Sequence, residues 1–217
     1  MKPITFQVEG MAAAPQGSKA HVGKGVMVES CKNVKPWRLL VAKTAITLCQ
    51  PACSDWVDWR WAAWLALRRS PDLTAAELLK LVGPRRHRIT LADVSGFLPG
   101  LRSCMARQDA YVLQGPVRMS AVFRFQRPAN HYHRDGTLKP LYGGLSSATS
   151  QYAPLYHCVA PDWSKLQRST EDALTGLLYQ DDARIVGGSC EKRWCIGDER
   201  PGALITLIPL SRQQQSP

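Results

Sequence analysis

Three aspartates around one predicted helix are the residues of this sequence best suited to chemistry. Asp162 stands before a helical pattern in the segment APDWSKLQRSTEDALTGLLYQDD, residues 160–182, and Asp181 and Asp182 stand just after it. Carboxylate oxygens are the ligands that hard divalent cations such as Mg²⁺ prefer. A metal ion held there could orient or deprotonate a water molecule and offset charge on a phosphate. The three side chains are therefore candidate ligands of a shared ion.

The helix between these aspartates is predicted from the spacing of its apolar residues. Positions three and four apart form one stripe expected to be buried, made of Trp163, Leu166, Thr170, Ala173, Leu174 and Leu177. A second, polar face carries Lys165, Arg168 and Asp172. The Asp181–Asp182 pair returns toward one end of the helix if the chain turns back into a strand, and the sequence leaves open which end.

Purely structural roles would also explain these residues. Asp162 can cap the helix by accepting from the free amides of its first turn, and the Asp181–Asp182 pair can form a turn. Arg168 and Asp172, four residues apart, can form an ordinary surface ion pair. His157 is expected to be a solvated loop residue, although it could approach the site. These structural roles stay open beside the metal-binding one.

The elements that must position these residues predict an α+β fold with a small mixed β-sheet packed by helices. A chain of 217 residues can bury one good core, so residues 1–217 are predicted to form a single domain. Alternation predicts a strand at 116–125, with Val117, Met119, Ala121, Phe123 and Phe125 on one face. Further strands are predicted at residues 4–10, 183–196 and 203–209, and a helix at 35–48.

The strand predicted after the aspartate pair links that pair to a basic residue. Period-two alternation puts Asp182, Arg184 and Lys192 on the same side of this strand. Gly187 and Gly188 could introduce a bulge that breaks the alternation.

Three separated blocks of this sequence resemble the motifs of RusA-type Holliday junction resolvases. The usual motifs of that family read PDxDxLxK or PDxDKLxR, then DALxG, then DDxQV. This chain has PDWSKLQR, DALTG and DDARIV in the same order. The basic segment 14–38 and the string RPGALITLIP, residues 200–209, are similar to the opening and the final strand of the phage and actinobacterial branch of that family. The resemblance predicts a RusA-like fold.

The resemblance implies an endonuclease that uses Mg²⁺, with Mn²⁺ as an alternative, and cuts four-way DNA junctions with paired nicks. The acidic cluster of the family matches Asp162 and Asp182, with Asp181 beside them, as catalytic residues and metal ligands. Arg168 matches the basic position of the motif and would lie near the phosphate or hold an acidic neighbour. Paired nicking further implies a homodimer, because a junction presents two equivalent strands and a two-fold assembly presents two equal sites.

One departure from the motif concerns the metal site. Where the family has a second aspartate, two residues after the first, this chain has Ser164, and Trp163 lies between. Mg²⁺ is often held by only one or two protein carboxylates, with water and substrate phosphate completing its shell. Asp162 and Asp182 are therefore expected to suffice, with weaker metal affinity than the full motif would give.

The excess of basic residues agrees with a DNA partner. The chain has 28 Lys and Arg against 17 Asp and Glu, a net charge of +11, although a basic protein without any nucleic-acid partner remains the alternative. Clustering favours DNA and predicts a mobile basic arm containing Lys19, Lys24, Lys32, Lys35 and Arg38. Further DNA contacts are expected from Arg85 and Arg86 of the PRRHR string, and from Lys165 and Lys192. No GxxxxGK[ST] string is present, which argues against a nucleotide-binding loop.

The segment 50–113 is predicted to be a mainly helical insertion, since nothing in it resembles the compact resolvases. One helical pattern carries the tryptophans Trp56, Trp59, Trp61 and Trp64. A second begins after a cap at Asp72 or Thr74, whereas residues 95–107 are less regular. The tryptophans could stack on exposed bases, but packing in a core or an interface is their commoner role and the one expected here.

The seven cysteines and the absence of long apolar runs indicate a cytoplasmic protein. An odd cysteine count fits free thiols, and the pairs Cys49 with Cys53 and Cys190 with Cys195 have loose spacing for zinc ligands. Residues 1–10 lack an apolar signal core, and no run of about 18 apolar residues is present, so no membrane span is expected.

Two functions from different classes remain open at the level of sequence. The first is an active, metal-dependent junction endonuclease in DNA recombination, repair or phage DNA processing. The second is a junction- or DNA-binding protein whose cleavage is weakened or lost because Ser164 interrupts the acidic motif. A duplex or flap nuclease with the same site would differ from the first only in the shape of its substrate.

Overall fold

The computed structural model describes residues 2–16, 19–21, 27–29, 31–49, 58–82, 89–109, 112–142 and 151–210. Its helices are α1 (Val34–Cys49), α2 (Asp58–Arg69), α3 (Ala75–Val82), α4 (Leu91–Asp109) and α5 (Trp163–Leu174). Its strands are β1 (Ile4–Glu9), β2 (Lys19–His21), β3 (Met27–Glu29), β4 (Val117–Phe125), β5 (Leu141–Tyr142), β6 (Ala153–Pro154), β7 (Ile185–Trp194) and β8 (Gly202–Pro209).

Four of these strands form a mixed sheet in the order β1-β8-β4-β7. The β1–β8 and β8–β4 pairs are antiparallel, and β4 and β7 are parallel. A parallel pair needs a crossover connection, and the chain between β4 and β7 supplies one that includes α5. The predicted α+β class with a small mixed sheet is confirmed.

One face of the sheet is buried against α1 and α5. Alternate residues of β4 are buried as predicted, from Val117 to Phe125. Trp37 of α1 meets Phe123 of β4 edge-on, with ring centroids 6.4 Å apart, and its indole nitrogen donates to the Thr170 hydroxyl of α5 over 3.2 Å. The indole therefore fills the space between the two helices and also satisfies its own buried polar atom.

The predicted buried stripe of α5 is confirmed except at its first residue. Leu166, Thr170, Ala173 and Leu174 are buried, as is Leu177 just beyond the helix, but Trp163 is 55% exposed. Trp163 begins α5, so its side chain points back beyond the end of the helix and past the apolar residues that cover the later turns.

The parity prediction for the aspartate strand is wrong at the start of that strand. Residues 182–184 form a short 3₁₀ turn, so the alternation of β7 begins only at Ile185. The predicted bulge is present, because Val117 pairs with Ile185 whereas Arg118 pairs with Gly187. Gly188 is required next to it, since a Cβ there would lie 1.6 Å from the carbonyl oxygen of Met119.

The helices α2, α3 and α4 build a second apolar cluster on the outer face of α1. Trp61 and Trp64 are 2% and 0% exposed, which confirms the expected core role for these two tryptophans. Trp56 and the side chain of Trp59 lie outside the described residues.

Thr74 is the cap of α3: the Glu77 amide donates to its hydroxyl over 3.3 Å, and its own amide donates to the Glu77 carboxylate over 2.8 Å.

Residues 95–107, expected to be less regular, belong to the continuous helix α4. Gly96, Pro99 and Gly100 lower helix propensity in this segment. Packing outweighs that preference, because Val94, Leu101 and Cys104 are buried in the second cluster.

Among the described residues, no helix has the length and apolar composition needed to cross a bilayer.

Candidate active site

A loop beside the end of β7 positions Asp162 at the start of α5. Residues 155–157 run antiparallel to residues 192–194: the His157 amide donates to the Lys192 carbonyl over 3.1 Å, and the Trp194 amide donates to the Leu155 carbonyl over 3.0 Å. The approach to Asp162 is therefore an added edge of the sheet rather than a free loop.

Aromatic stacking also holds the segment 155–157 in place. The His157 ring stacks on Phe125 with centroids 3.9 Å apart and lies 4.3 Å from the Trp194 ring. It is only 5% exposed, so the expectation of a solvated histidine is wrong. Burial and then the nearby Lys192 charge lower the pKa of His157, which keeps the ring neutral. The buried guanidinium of Arg127 ties the neighbouring loops, donating to the carbonyls of Cys195 over 2.6 Å and Pro154 over 2.8 Å.

Lys192 holds the residues immediately before Asp162. Its ammonium group donates to the carbonyl oxygens of Val159 and Pro161, each over 2.7 Å. The sequence predicted Lys192 as a DNA contact near the acidic pair. In the structure two of its three donors are already used within the protein, which fixes the direction from which the chain enters α5.

Asp162 occupies the N-cap position of α5, but its carboxylate does not cap the helix. The residue has extended backbone dihedrals and makes no side-chain hydrogen bond to the amides of the first turn. Its side chain is 64% exposed and contacts the Lys165 ammonium group at 3.1 Å. The capping role that could have explained this aspartate is therefore absent. Lys165, expected to contact the DNA backbone, lies directly beside the candidate metal ligand.

The Asp181–Asp182 pair divides into one structural and one available carboxylate. Asp181 caps the 3₁₀ turn, since its Oδ1 accepts from the Ala183 amide over 2.8 Å. Asp182 is exposed, and within the described ranges its carboxylate accepts no hydrogen bond. Burial, with nearby Glu171 and Asp182 as the next causes, raises the pKa of the Tyr179 phenol.

Arg168 and Asp172 do not form the ion pair that their spacing allows. Asp172 pairs instead with Arg38 of α1, with 2.7 Å between Nη2 and Oδ2. Arg168 is exposed and makes no ion pair with the residues that the structure describes. The basic motif residue thus keeps its charge free, whereas Arg38, predicted to bind DNA, is held by a carboxylate.

The remaining predicted DNA contacts are placed only in part. Lys32 and Lys35 are exposed near the start of α1. Lys19 lies in β2, which pairs antiparallel with β3. The side chain of Lys19 and the residues Lys24, Arg85 and Arg86 lie outside the described residues.

The cysteines do not supply a metal site in the described part of the chain. Cys31, Cys104, Cys158, Cys190 and Cys195 are free thiols, as predicted for the chain. Burial raises the pKa of the Cys190 thiol to about 11, so it stays protonated. Throughout the residues that the structure describes, no group of three or more His, Cys, Asp or Glu side chains is close enough to hold a metal ion.

Sequence reasoning missed the residues that support the approach to Asp162. Arg127 and Trp194 are not among the predicted site residues, and His157 is predicted as a solvated residue that could approach the site. The three come together where residues 155–157 lie beside β7. One signal was available: Trp194 has the parity of Cys190 and Lys192 in the β7 alternation, which places its ring on the helix side of the sheet.

A comparison with known families identifies the part of the chain that contains this site. A family model described as endodeoxyribonuclease RusA matches residues 100–208, half of the 217 residues. The match includes β4, α5, β7 and β8, and therefore Asp162, Asp181 and Asp182. It does not reach the basic segment 14–38, whose resemblance stays a prediction. A search of curated proteins finds no match. The chain belongs to the RusA family of endodeoxyribonucleases, the RusA-type Holliday junction resolvases.

Proposed function

We propose that this protein is a metal-dependent endonuclease that resolves four-way DNA junctions by paired nicks, using Asp162 and Asp182 as its essential carboxylates. The observation that carries this proposal is the state of Asp162. It stands at the motif position of a RusA-family chain with its carboxylate exposed and without the capping bond that would otherwise explain it.

The proposal requires the carboxylates of Asp162 and Asp182 to bind one metal ion together with DNA. Asp162 and Asp182 offer exposed oxygens, while one oxygen of Asp181 is engaged in its turn. Mg²⁺ is often bound in proteins by only one or two carboxylates, with water and substrate phosphate completing its shell, and this is the kind of site proposed here for Mg²⁺ or Mn²⁺. Such an ion supplies an activated water and offsets charge on the phosphate.

The other residues of the site have separable roles in this proposal. Lys165 lies 3.1 Å from Asp162 and can share its charge with a scissile phosphate. Arg168, exposed on the same helix, offers a planar guanidinium for bidentate phosphate binding. Lys192 does not need to touch DNA, because it fixes the carbonyls that precede Asp162.

Because junction DNA is the substrate in this proposal, we place the protein in the cytoplasm of the cell that holds that DNA.

A DNA-binding protein with weakened cleavage is the second candidate, and Ser164 favours it. Ser164 is exposed at the second position of α5, where the family motif has a carboxylate. A hydroxyl brings no charge, so the loss falls on metal affinity rather than on the basic surface that binds DNA.

One cleavage assay separates the two candidates. The wild-type protein and the variants Asp182→Asn and Asp198→Asn are incubated with a labelled four-way junction and with linear duplex of the same sequence, in Mg²⁺, Mn²⁺ or chelator. Symmetric nicks restricted to the junction are expected, dependent on metal and lost in Asp182→Asn. Asp198 is an equally exposed aspartate in the turn after β7 and serves as the matched control. Junction binding without any metal-dependent product would contradict the endonuclease and support the DNA-binding protein.

The homodimer is part of the same proposal and has its own measurement. Paired nicks require two equal sites, so light scattering should give twice the mass of the 24.1 kDa chain, alone or on the junction. A monomer that still makes paired nicks would contradict the two-fold arrangement.

A further inference from the structure

A cleft lies where the helices α1 and α2 approach the C-terminal end of α5. Its volume is about 360 Å³, and its charged lining residues are Lys35, Arg38, Arg68, Arg69 and Asp172. The three walls come from different parts of the chain: α5 lies within the family match, whereas α1 and the tryptophan-rich helix α2 precede it.

The charges of the cleft are unevenly compensated. Asp172 pairs with Arg38 at 2.7 Å, and Arg68 pairs with Asp109 and donates to the Gly176 carbonyl. Lys35 and Arg69 are exposed, and neither has a carboxylate partner among the described residues. With Arg38 and Arg68 paired, Lys35 and Arg69 leave two uncompensated positive charges at the cleft, which favours an anionic occupant.

The cleft has a buried floor and an unused hydrogen-bond donor. Ala42, Ala173 and Leu177 line it and are at most 7% exposed, so its floor belongs to the packed interior. The Nε of Arg38 is buried without a hydrogen-bond partner in the described structure. A buried donor left unpaired is costly, and an anion that draws the guanidinium outward would relieve that cost.

We propose that this cleft binds the phosphate backbone of a DNA arm next to the candidate active site, with Lys35 and Arg69 as the direct contacts. This inference rests on the proposed function, since it takes the DNA substrate from it. The cleft and Asp162 lie at opposite ends of α5, and a helix of 12 residues is about 18 Å long. At about 3.4 Å per base pair, that separation matches roughly five base pairs of duplex, which is the length of arm that the proposal places between the two. The helical segment between α1 and β4 thereby gains a role in substrate binding.

The test measures how junction binding depends on salt in the presence of chelator, where no cleavage occurs. The double variant Lys35→Gln/Arg69→Gln is compared with Lys80→Gln/Arg107→Gln, which removes the same two charges from exposed positions of α3 and α4 outside the cleft. A third variant, Lys35→Arg/Arg69→Lys, keeps both charges. Affinity for a labelled four-way junction is measured across a range of salt concentrations for each.

Two lost phosphate contacts should reduce the slope of log affinity against log salt by about 1.8. At 0.1 M salt this corresponds to roughly 60-fold weaker binding, if counterion release accounts for the whole effect. The control pair and the charge-conserving pair should keep slopes close to wild type. Equal reductions in the cleft and control variants would overturn the cleft and indicate diffuse attraction instead.

Two further outcomes separate the cleft from the nuclease. If Lys35→Gln/Arg69→Gln keeps the salt dependence of the wild type, the cleft does not bind DNA. The proposed nuclease function is then unaffected, whatever the cleavage activity of this variant. Failure of the wild-type protein to bind any DNA contradicts the proposed function and the cleft together. If the variant loses binding of a free nucleoside monophosphate but keeps full junction affinity, the occupant is a small anion and the DNA assignment is wrong.

Discussion

The two ends of α5 differ in how far their polar groups are already used inside the protein. At the C-terminal end the Tyr179 phenol donates to the Glu171 carbonyl over 2.8 Å, Asp172 pairs with Arg38, and Arg68 donates to the Gly176 carbonyl. At the N-terminal end, the Asp162 carboxylate caps nothing and is exposed. Two aspartates ten residues apart thus differ: Asp172 is held by Arg38, whereas Asp162 is exposed and is the carboxylate to which the proposed function assigns catalysis.

The largest expected effect separates activity from stability at these two ends. Asp162→Asn should reduce junction cleavage at least about 100-fold, as loss of a major electrostatic group does, and leave the free energy of unfolding nearly unchanged because the carboxylate is exposed. Tyr179→Phe should lower that free energy by about 1 kcal/mol through its lost hydrogen bond and keep cleavage within a few fold. Urea unfolding and single-turnover cleavage measure both quantities. If the two variants lose cleavage and stability to the same extent, the two ends of α5 do not differ in function as proposed.

The fold was more accessible from sequence than the site, for physical reasons. The strand β4 and most of the α5 stripe follow from periodicity, because burial of alternate residues or of one helix face is a local property of the chain. The capping state of Asp162 is not local: it depends on Lys192 holding the Val159 and Pro161 carbonyls from a strand thirty residues later. The same holds for Asp172, whose partner Arg38 comes from α1 rather than from its own helix.

The second prediction concerns the loop that leads into the N-terminal end. Lys192→Met removes an ammonium group that donates to two carbonyls. A hydrogen bond to a charged group contributes about 1.5–3 kcal/mol, and here only the part-buried bond to Pro161 is expected to approach that value, because Val159 is exposed. The free energy of unfolding should fall by about 2 kcal/mol, and cleavage should fall with it because Asp162 loses its fixed position.

Lys139→Met is the matched control for Lys192→Met. The Lys139 ammonium group donates to one exposed carbonyl, that of Asn130, over 2.9 Å. Its loss should cost less than about 1 kcal/mol, since an exposed contact of this kind is screened by water. Similar losses of stability in the two lysine variants would show that the two hydrogen bonds of Lys192 do not stabilise the loop before Asp162 more than an exposed contact would.

The third prediction is a pH dependence that originates beside the same loop. Burial lowers the pKa of His157 in the folded protein below its ordinary value of 6.5, with the Lys192 charge acting in the same direction. A depressed folded pKa gives stability that is present above pH 6.5 and lost as the pH falls below it, because the unfolded chain takes up the proton first.

The stability of wild-type protein should therefore decrease as the pH falls below about 6.5, and His157→Phe should flatten part of that decrease while preserving the stack on Phe125. His131, whose pKa is also lowered by burial and then by Arg127, accounts for a second part. Denaturant unfolding at several pH values measures the slope. Parallel curves for wild type and His157→Phe would place the proton uptake elsewhere.

The smallest expected effect tests whether the N-terminal end lacks one carboxylate. Ser164→Asp restores a negative charge at the second position of α5, where it also interacts favourably with the helix dipole by about 0.3–1 kcal/mol. The Mg²⁺ concentration for half-maximal cleavage should fall several fold, whereas Ser164→Asn, of nearly the same shape without charge, should leave it in place. If Asp and Asn variants share one Mg²⁺ midpoint, the third carboxylate of the motif contributes nothing to metal binding in this chain. A shift confined to the Asp variant would instead mean that Asp162 and Asp182 bind the ion and that Ser164 sets how weakly.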